Sequence, residues 1–251
     1  MRYNIVTLLF LFSLLGYAQY PITDWEKENL KGKVKSVKSI TYQYINDNGK
    51  MQKGSPMTGF NTLVSYNIKG YKVSGEQFST DEKIIGSWVY IYEGNNLLRQ
   101  VDVFNQKKQV QEIMKHTYNS KTQKEDVNGY DANGVFTGKQ IACYDEKGLK
   151  INELLLDSKE NFLMKSEFIY DSKSNLSERY IEDKEGKKVV LKYVYDEKNN
   201  VIEENYYGNG GQLYGQKKFT YKYDNQGNWI ERIEEIYGMS QVLTERKITY
   251  Y

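Results

Sequence analysis

FTYKYDNQGNWIERI (219–233) repeats the shape of LKYVYDEKNNVIEEN (191–205), and this phrase decides the fold. Its opening alternates: Phe219, Tyr221 and Tyr223 fall on one side of an extended chain, Lys218, Thr220 and Lys222 on the other. Its middle is turn chemistry. The Asp224 carboxylate is placed to accept from the backbone N–H two residues on, and Gly227, three residues later, tolerates the positive φ that closes a hairpin loop. Strand, short turn and strand make a β-hairpin.

The tyrosine recurs along the chain. Tyr66, Tyr92, Tyr118, Tyr144 and Tyr170 stand 26 residues apart, Tyr195 and Tyr223 follow after 25 and 28, and the sequence ends on Tyr250 and Tyr251. Between them, Asn105, Asp131, Asp157 and Asp183 each fall 13 residues after a tyrosine mark. Turn signals follow nearly every mark: YNIKG (66–70), YEGNN (92–96), YDANG (130–134), YDEKG (144–148), YDSKSN (170–175) and YDEKNN (195–200). Asp131 with Gly134, Asp145 with Gly148, Asp171, Asp196, and Asp224 with Gly227 are therefore read as structural turn residues. The stretches between, such as SWVYIY (87–92) and KSEFIY (165–170), have strand composition. One helical turn is expected in DWEKENLKG (24–32), capped by Asp24 and stopped by Gly32.

The expectation is an all-β fold, an antiparallel meander of about 15 to 17 strands built from 26-residue hairpin repeats. It occupies residues 34–251 as a single domain. Accumulated right-handed twist makes it one long twisted, curved or spiralling sheet. KMQKGSPMTGFN (50–61) interrupts the rhythm and is expected as a bulge, long loop or corner.

The YDxxGN phrase resembles the YD repeats of rearrangement-hot-spot proteins and the teneurin-type shell. The resemblance covers most of residues 60–251, although the unit here is longer and the aspartate is replaced at Asn67, Glu93 and Asn119. It implies Tyr-Asp hairpins building a long spiralling sheet, which large relatives wrap around a C-terminal cargo. For this chain it implies a small stand-alone exported member without an assigned activity.

MRYNIVTLLFLFSLLGYAQY (1–20) has a basic residue at Arg2, an apolar run from Ile5 to Leu15, and small residues at Gly16 and Ala18. This is the layout of a signal peptide, residues 1–18, cut near Ala18; the run is shorter than the ~20 residues that span a bilayer. Residues 19–33 then form a leader. The mature chain is placed outside the cytoplasm, in the periplasm, at the cell surface or secreted, with no transmembrane segment. The full sequence has 35 Lys+Arg against 33 Asp+Glu, and loss of Arg2 brings the mature chain still nearer neutrality, so no field steers it to nucleic acid. The 24 tyrosines, against two prolines, indicate a folded, thin protein whose burial rests on aromatic rings. Cys143, the single cysteine, has no disulfide partner within the chain and reads as a small hydrophobe.

Catalytic inventory is poor. His116, the one histidine, shares a strand face with Tyr118 and reads as a packed or solvent-facing residue. No Cys/His cluster suggests a metal, and no cofactor is expected. Glu203-Glu204 and Glu234-Glu235 are adjacent, so on strands they point to opposite faces. The turn aspartates offer one carboxylate per loop, short of the roughly six oxygens calcium takes.

Aromatic residues carry the positive content. Trp88, Tyr90, Tyr92, Tyr193, Tyr195, Tyr221 and Trp229 are candidate ligand-binding residues, a platform for sugar rings or a protein partner; the competing reading makes them the core of a thin sheet. The first strand (34–44) is shielded by its lysines and by the leader around Trp25, whereas the last, LTERKITYY (243–251), ends exposed unless the ribbon closes. The expected function is non-enzymatic: an exported scaffold whose curved aromatic surface binds a protein or glycan. The alternative is a structural element that self-associates through free strand edges, and a carbohydrate-active enzyme is a distant third.

Overall fold

The computed structural model describes residues 22–251 apart from 49, 95, 238 and 239, so the expected signal peptide lies outside the described residues. A four-residue helix, α1 (Asp24–Lys27), precedes the strands. These are β1 (Val34–Asp47), β2 (Lys50–Pro56), β3 (Asn61–Tyr66), β4 (Lys72–Phe78), β5 (Ile84–Glu93), β6 (Leu97–Asn105), β7 (Val110–Asn119), β8 (Lys124–Asp131) and β9 (Phe136–Tyr144). They continue with β10 (Lys150–Asp157), β11 (Phe162–Tyr170), β12 (Leu176–Asp183), β13 (Lys188–Tyr195), β14 (Val201–Tyr207), β15 (Leu213–Tyr223), β16 (Trp229–Ile236) and β17 (Ser240–Tyr250). All 17 belong to one antiparallel meander, at the upper end of the expected range.

The hairpins close by one device. Asp145 Oδ1 accepts from the backbone N–H of Lys147 at 2.9 Å and of Leu149 at 2.8 Å, and the Gly148 N–H returns to the Asp145 carbonyl at 3.0 Å. Gly148 has φ +78°, as the closing residue of such a turn requires. The carboxylates of Asp131, Asp171, Asp196 and Asp224 make the same pair of backbone bonds. The tyrosine preceding each turn sits at a one-residue register shift and pairs with the residue six positions on, as Tyr170 with Leu176, Tyr195 with Val201 and Tyr223 with Trp229.

The 26-residue period has a direct bonding basis. Tyr223 Oη donates to Asp196 Oδ2 at 2.8 Å, and Tyr250 Oη donates to Asp224 Oδ2. Each hydroxyl thus ties the turn of the preceding repeat at the same end of the sheet. Tyr170 and Tyr195 reach back similarly, donating to the Lys150 carbonyl at 2.8 Å and the Leu176 carbonyl at 2.9 Å.

The sheet does not stay open. β3 to β17 pair in chain order, β17 then pairs with β1 (Val37 opposite Ile248, Thr41 opposite Thr244), and β1 pairs with β3 (Val37 opposite Val64). The result is a 16-strand barrel, which corrects the expectation of one long curved or spiralling sheet. The edge of β17, expected to be free for self-association, is occupied by β1. Hairpin neighbours are written locally in the sequence. Closure depends on summed twist and stagger and leaves no local mark. The interrupting segment becomes β2, which lies with β3 along one edge of β1: Ile45 faces Gln52 above, and Ser39 faces Thr62 below.

Directly opposed residues share a face, so the pairings sort inside from outside. One row runs Glu125, Ala142, Glu153, Ser166, Ile181, Val189; its neighbour runs Asp126, Ile141, Leu154, Lys165, Glu182, Lys188. The first row faces the lumen, with Ala142, Glu153 and Ser166 all at most 3% exposed. The second faces out and carries ion pairs, Lys165 to Glu182 at 3.0 Å and Lys139 to Asp126 at 2.8 Å. Lys192–Glu178 (3.0 Å) and Lys222–Glu231 (2.7 Å) continue this charged exterior round the barrel. Along β5 to β8 the inner wall carries an apolar cluster of Tyr90, Leu98, Val101, Val103, Met114 and Val127 with Trp88 and Tyr92, beside the buried polar groups Glu112 and Glu125.

Sixteen strands enclose more space than wall side chains fill, and the leader occupies the tyrosine-marked end. Thr23, not Asp24, caps α1: its hydroxyl accepts from Glu26 N at 3.2 Å while Glu26 Oε2 accepts from Thr23 N at 2.6 Å. Asp24 is buried in the first turn, where it accepts from Lys72 N at 2.8 Å and Lys27 Nζ at 3.2 Å. The expected cap misplaced the helix start by one residue, because the capping box needs its hydroxyl three positions before Glu26. Trp25 lies against Gly70, where an added Cβ would stand 2.8 Å from the indole. Asn29 Nδ2 donates to the carbonyls of Lys198 (2.8 Å) and Asn199 (3.1 Å), and Lys31 N donates to Asn228 Oδ1 at 2.7 Å. Residues 22–31 therefore cross the barrel mouth from the β3–β4 turn to the β13–β14 and β15–β16 turns. Trp25 thus packs on the β3–β4 turn and against the cluster of Leu30, Val34, Val37 and Tyr66, which includes the start of β1.

Candidate functional site

A cavity of about 800 Å³ lies in the lumen, between the leader and the wall. It extends from Asn175 and Asn199 in the turns of the tyrosine-marked end to Gln77 and Gly86 beside the β4–β5 turn. Its wall presents the rings of Trp88, Tyr90, Phe168, Tyr170 and Tyr195, with Thr62, Gln77, Gln111 and the turn amides between them.

Three of the four lysines at the cavity are paired with carboxylates, and Lys173, on the β11–β12 turn, makes no ion pair among the described residues. Lys72 Nζ is paired with Glu28 Oε1, Lys150 Nζ with Glu153 Oε2, and Lys27 Nζ with Asp24 Oδ1 at 3.2 Å. Glu28 also accepts from Tyr66 Oη through its other oxygen, and Glu26 is committed to the capping box. Burial pulls the Lys27 ammonium below its ordinary value against the attraction of Asp24. Facing the space beside them are aromatic rings, hydroxyls and amides, aliphatic side chains such as Val64, Val103 and Leu176, and Lys173 at the turn.

All seven aromatic candidates face the lumen. Trp88, Tyr90 and Tyr195 line the cavity. Tyr92 follows on the same face of β5, its ring 5.9 Å from that of Tyr71 beneath the leader. Tyr193 lies between Leu191 and Tyr195 on the inner face of β13. Tyr221 meets Trp229 at 5.9 Å and Tyr223 at 6.1 Å between ring centres, away from the cavity wall. Burial pushes the Tyr90, Tyr195 and Tyr221 phenols up to about 12 and raises those of Tyr92 and Tyr193 further. They remain hydroxyl donors at any working pH.

The expected platform on a curved sheet and the competing core reading meet here, since these rings face an enclosed lumen. Phe168, Tyr170, Lys72 and Lys150 were not among the ligand-binding candidates read from the sequence. Phe168 and Tyr170 share one face of KSEFIY, and Tyr170 is a repeat mark, so alternation was the available signal; the part played by residues 22–31 had none.

His116 is buried, with Nδ1 2.9 Å from Glu125 Oε1, and Tyr144 Oη donates to Glu125 Oε2 at 2.6 Å. Burial would push the Glu125 carboxyl up, but the hydrogen bond and charge of His116, the Tyr144 bond and the Lys150 charge together hold it below its ordinary value. This triad braces β7, β8 and β9 from within. Among the described residues no group of three or more His, Cys, Asp or Glu side chains is arranged to hold a metal ion. No helix among them is long and apolar enough to cross a membrane.

No protein-family model matches the chain, and no curated protein matches it in sequence. Among solved structures, a porin-like protein from Bacteroides uniformis superposes with a TM-score of 0.53 at 9% identity, covering 87% of this chain and 98% of that one. A porin-like protein from Bacteroides vulgatus gives a TM-score of 0.45 at 13% identity over the same shares of the two chains. The TcdB2–TccC3 complex gives 0.20 at 11% identity, covering 79% of this chain and 15% of that one. The first likeness supports the fold.

Proposed function

We propose that the protein is a non-enzymatic, extracytoplasmic β-barrel that holds a neutral, hydroxyl-rich ligand, a glycan or glycan fragment, in its lumen. The observation that carries this reading is the wall of the 800 Å³ cavity: Trp88, Tyr90, Phe168, Tyr170 and Tyr195 around a space in which Lys27, Lys72 and Lys150 are each paired with a carboxylate. Aromatic faces stack on the apolar faces of sugar rings, and amides and hydroxyls bond their edges. Rings turned inward favour an enclosed small ligand over a protein partner. The occupied β17 edge weakens the assembly alternative, and the commitment of Glu26 and Glu28 to Thr23, Tyr66 and Lys72 weakens the hydrolase one.

The porin-like neighbour raises a second reading, a barrel embedded in a membrane. Against it stand the outward ion pairs Lys165–Glu182, Lys192–Glu178 and Lys222–Glu231. A lysine at the bilayer midplane costs about 2–4 kcal/mol on the lipid face of a barrel. The proposal therefore places the barrel in water, in the compartment the leader sequence predicts.

Isothermal titration of the mature chain against a panel of neutral oligosaccharides tests the proposal, with Trp88→Ala and Tyr195→Ala as comparisons. One or more should bind, with at least tenfold weakening in each variant; no binding by the folded protein, or binding indifferent to both substitutions, contradicts it. Detergent phase partitioning tests the location. The protein should stay in the aqueous phase, and recovery in the detergent phase would restore the membrane reading.

A further inference from the structure

Away from the cavity, the inner face of β16 and β17 holds two arginines beside one indole. The guanidinium carbon of Arg246 lies 3.4 Å from the centre of the Trp229 ring, and that of Arg232 lies 5.2 Å from it. Arg232 faces Thr244 across the strand pair, and Arg246 is two residues along on the same face. The two cations are therefore diagonal neighbours on the lumen wall, and the charge of Arg232 is felt at Arg246.

Paired guanidiniums inside a protein ordinarily have carboxylates against them. Here the nearby acids are committed elsewhere. Glu28, whose charge reaches Arg246, gives one oxygen to Tyr66 Oη and the other to Lys72 Nζ. Glu234 is held by Lys217 at 2.8 Å and stands 3.8 Å from Arg232, beyond a hydrogen bond. Asp224 serves its own turn and Tyr250. The Nε atoms of both arginines are sealed from solvent without a hydrogen-bond partner among the described residues.

We propose that Arg232 and Arg246 form a carboxylate-binding site on the lumen wall, with Trp229 holding the Arg246 fork in plane. Stacking fixes a guanidinium by its face and leaves its N–H edge directed outward, the geometry that bonds a planar carboxylate through two parallel hydrogen bonds. An arriving anion also supplies the charge the protein omits; without it, burial draws the Arg246 group down to about 10. The ligand class is a small organic acid or the acid group of an acidic sugar. The site shares no residue with the neutral-glycan cavity and stands whether or not that reading holds.

The mature chain is titrated with sodium acetate and sodium glucuronate, each against sodium chloride at matched ionic strength, reading thermal midpoint and tryptophan fluorescence. Both carboxylates should give a saturable response that chloride does not, weakened at least tenfold in Arg246→Met and in Arg232→Gln. Arg246→Met should unfold at or above the wild-type temperature in chloride, since it removes a buried cation to which no carboxylate is hydrogen-bonded among the described residues. If the folded wild type does not distinguish carboxylate from chloride, or if Arg246→Met keeps the response, the site is refuted. Loss of thermal stability in both variants, with no carboxylate response in the wild type, would instead make the arginines structural. A response to neutral oligosaccharides that is lost in Tyr195→Ala but kept in Arg246→Met would report on the cavity alone.

Discussion

Along β5 to β8 the inner wall packs Val101, Val103, Met114 and Val127; along β13 to β17 the same face carries Tyr193, Tyr195, Tyr221, Arg232 and Arg246. The hairpin unit is common to both halves, but what holds it differs. On the first side, area removed from water does the holding, at about 1.5–3 kcal/mol for each fully buried aliphatic side chain. On the second, tyrosine hydroxyls reach back to the preceding repeat, as Tyr195 to the Leu176 carbonyl, Tyr223 to Asp196 and Tyr250 to Asp224. A wall held by directed bonds at its rim need not fill its lumen. The cavity reaches both walls, the first through Trp88 and Tyr90 and the second through Tyr195.

The sharpest break in this comparison lies within the aliphatic half, where Glu125 is held by His116 and Tyr144. Glu125→Ala strands both partners, and loss of one member of a buried pair costs about 3–5 kcal/mol; chemical denaturation should show it. The pH response follows from sign. A carboxyl whose folded pKa lies below its unfolded one stabilises the fold above the unfolded value and ceases to do so as pH falls through the folded one. The thermal midpoint should therefore drop as the solution is acidified below the ordinary glutamate range, more steeply in the wild type than in Glu125→Gln. A steeper drop in the variant would contradict the assignment.

Gly75 comes next. The Trp88 indole covers it so closely that an added Cβ would stand 2.1 Å from the ring. Gly75→Ala must push the indole off the wall, at about 1–3 kcal/mol for overpacking, with a shift in tryptophan emission. An unshifted spectrum and unchanged stability would mean that the ring lies elsewhere.

The smallest effect compares the halves directly. Tyr223→Phe removes a hydroxyl bonded to a turn carboxylate and should cost about 1 kcal/mol. Tyr118 occupies the corresponding mark beside the aliphatic wall, where its ring meets Tyr144 edge-on at 6.4 Å. Tyr118→Phe should stay within about 0.5 kcal/mol of wild type. Equal losses at the two positions would remove the distinction between the halves.

The hairpins were legible because their determinants are local: Asp145 and Gly148 act within five residues of one another, and Phe219, Tyr221 and Tyr223 alternate within one strand. The 26-residue spacing was legible too, although its basis, a hydroxyl reaching back one repeat, needed the geometry. Closure was not, because pairing β1 with β17 is a single distant register among many local ones. It also decides which way the aromatics face, so their grouping was visible in sequence and their enclosure was not. The leader's place across the mouth depends on Asn29 and Lys31 finding turns some 170 to 200 residues away, and nothing near them announces it.

Closure bears most of the account, and one cross-link tests it. Lys38 on β1 lies directly opposite Lys247 on β17, on the outer face of the seam. Opposed residues of antiparallel strands have Cα atoms about 4.5–5.5 Å apart, within disulfide reach. In a Cys143→Ser background, Lys38→Cys with Lys247→Cys should oxidise to an intramolecular disulfide in the folded monomer, seen as a reducible mobility shift without a dimer. Free thiols under the same oxidation, or only intermolecular dimers, would mean that the sheet is open and that its aromatic face is not enclosed.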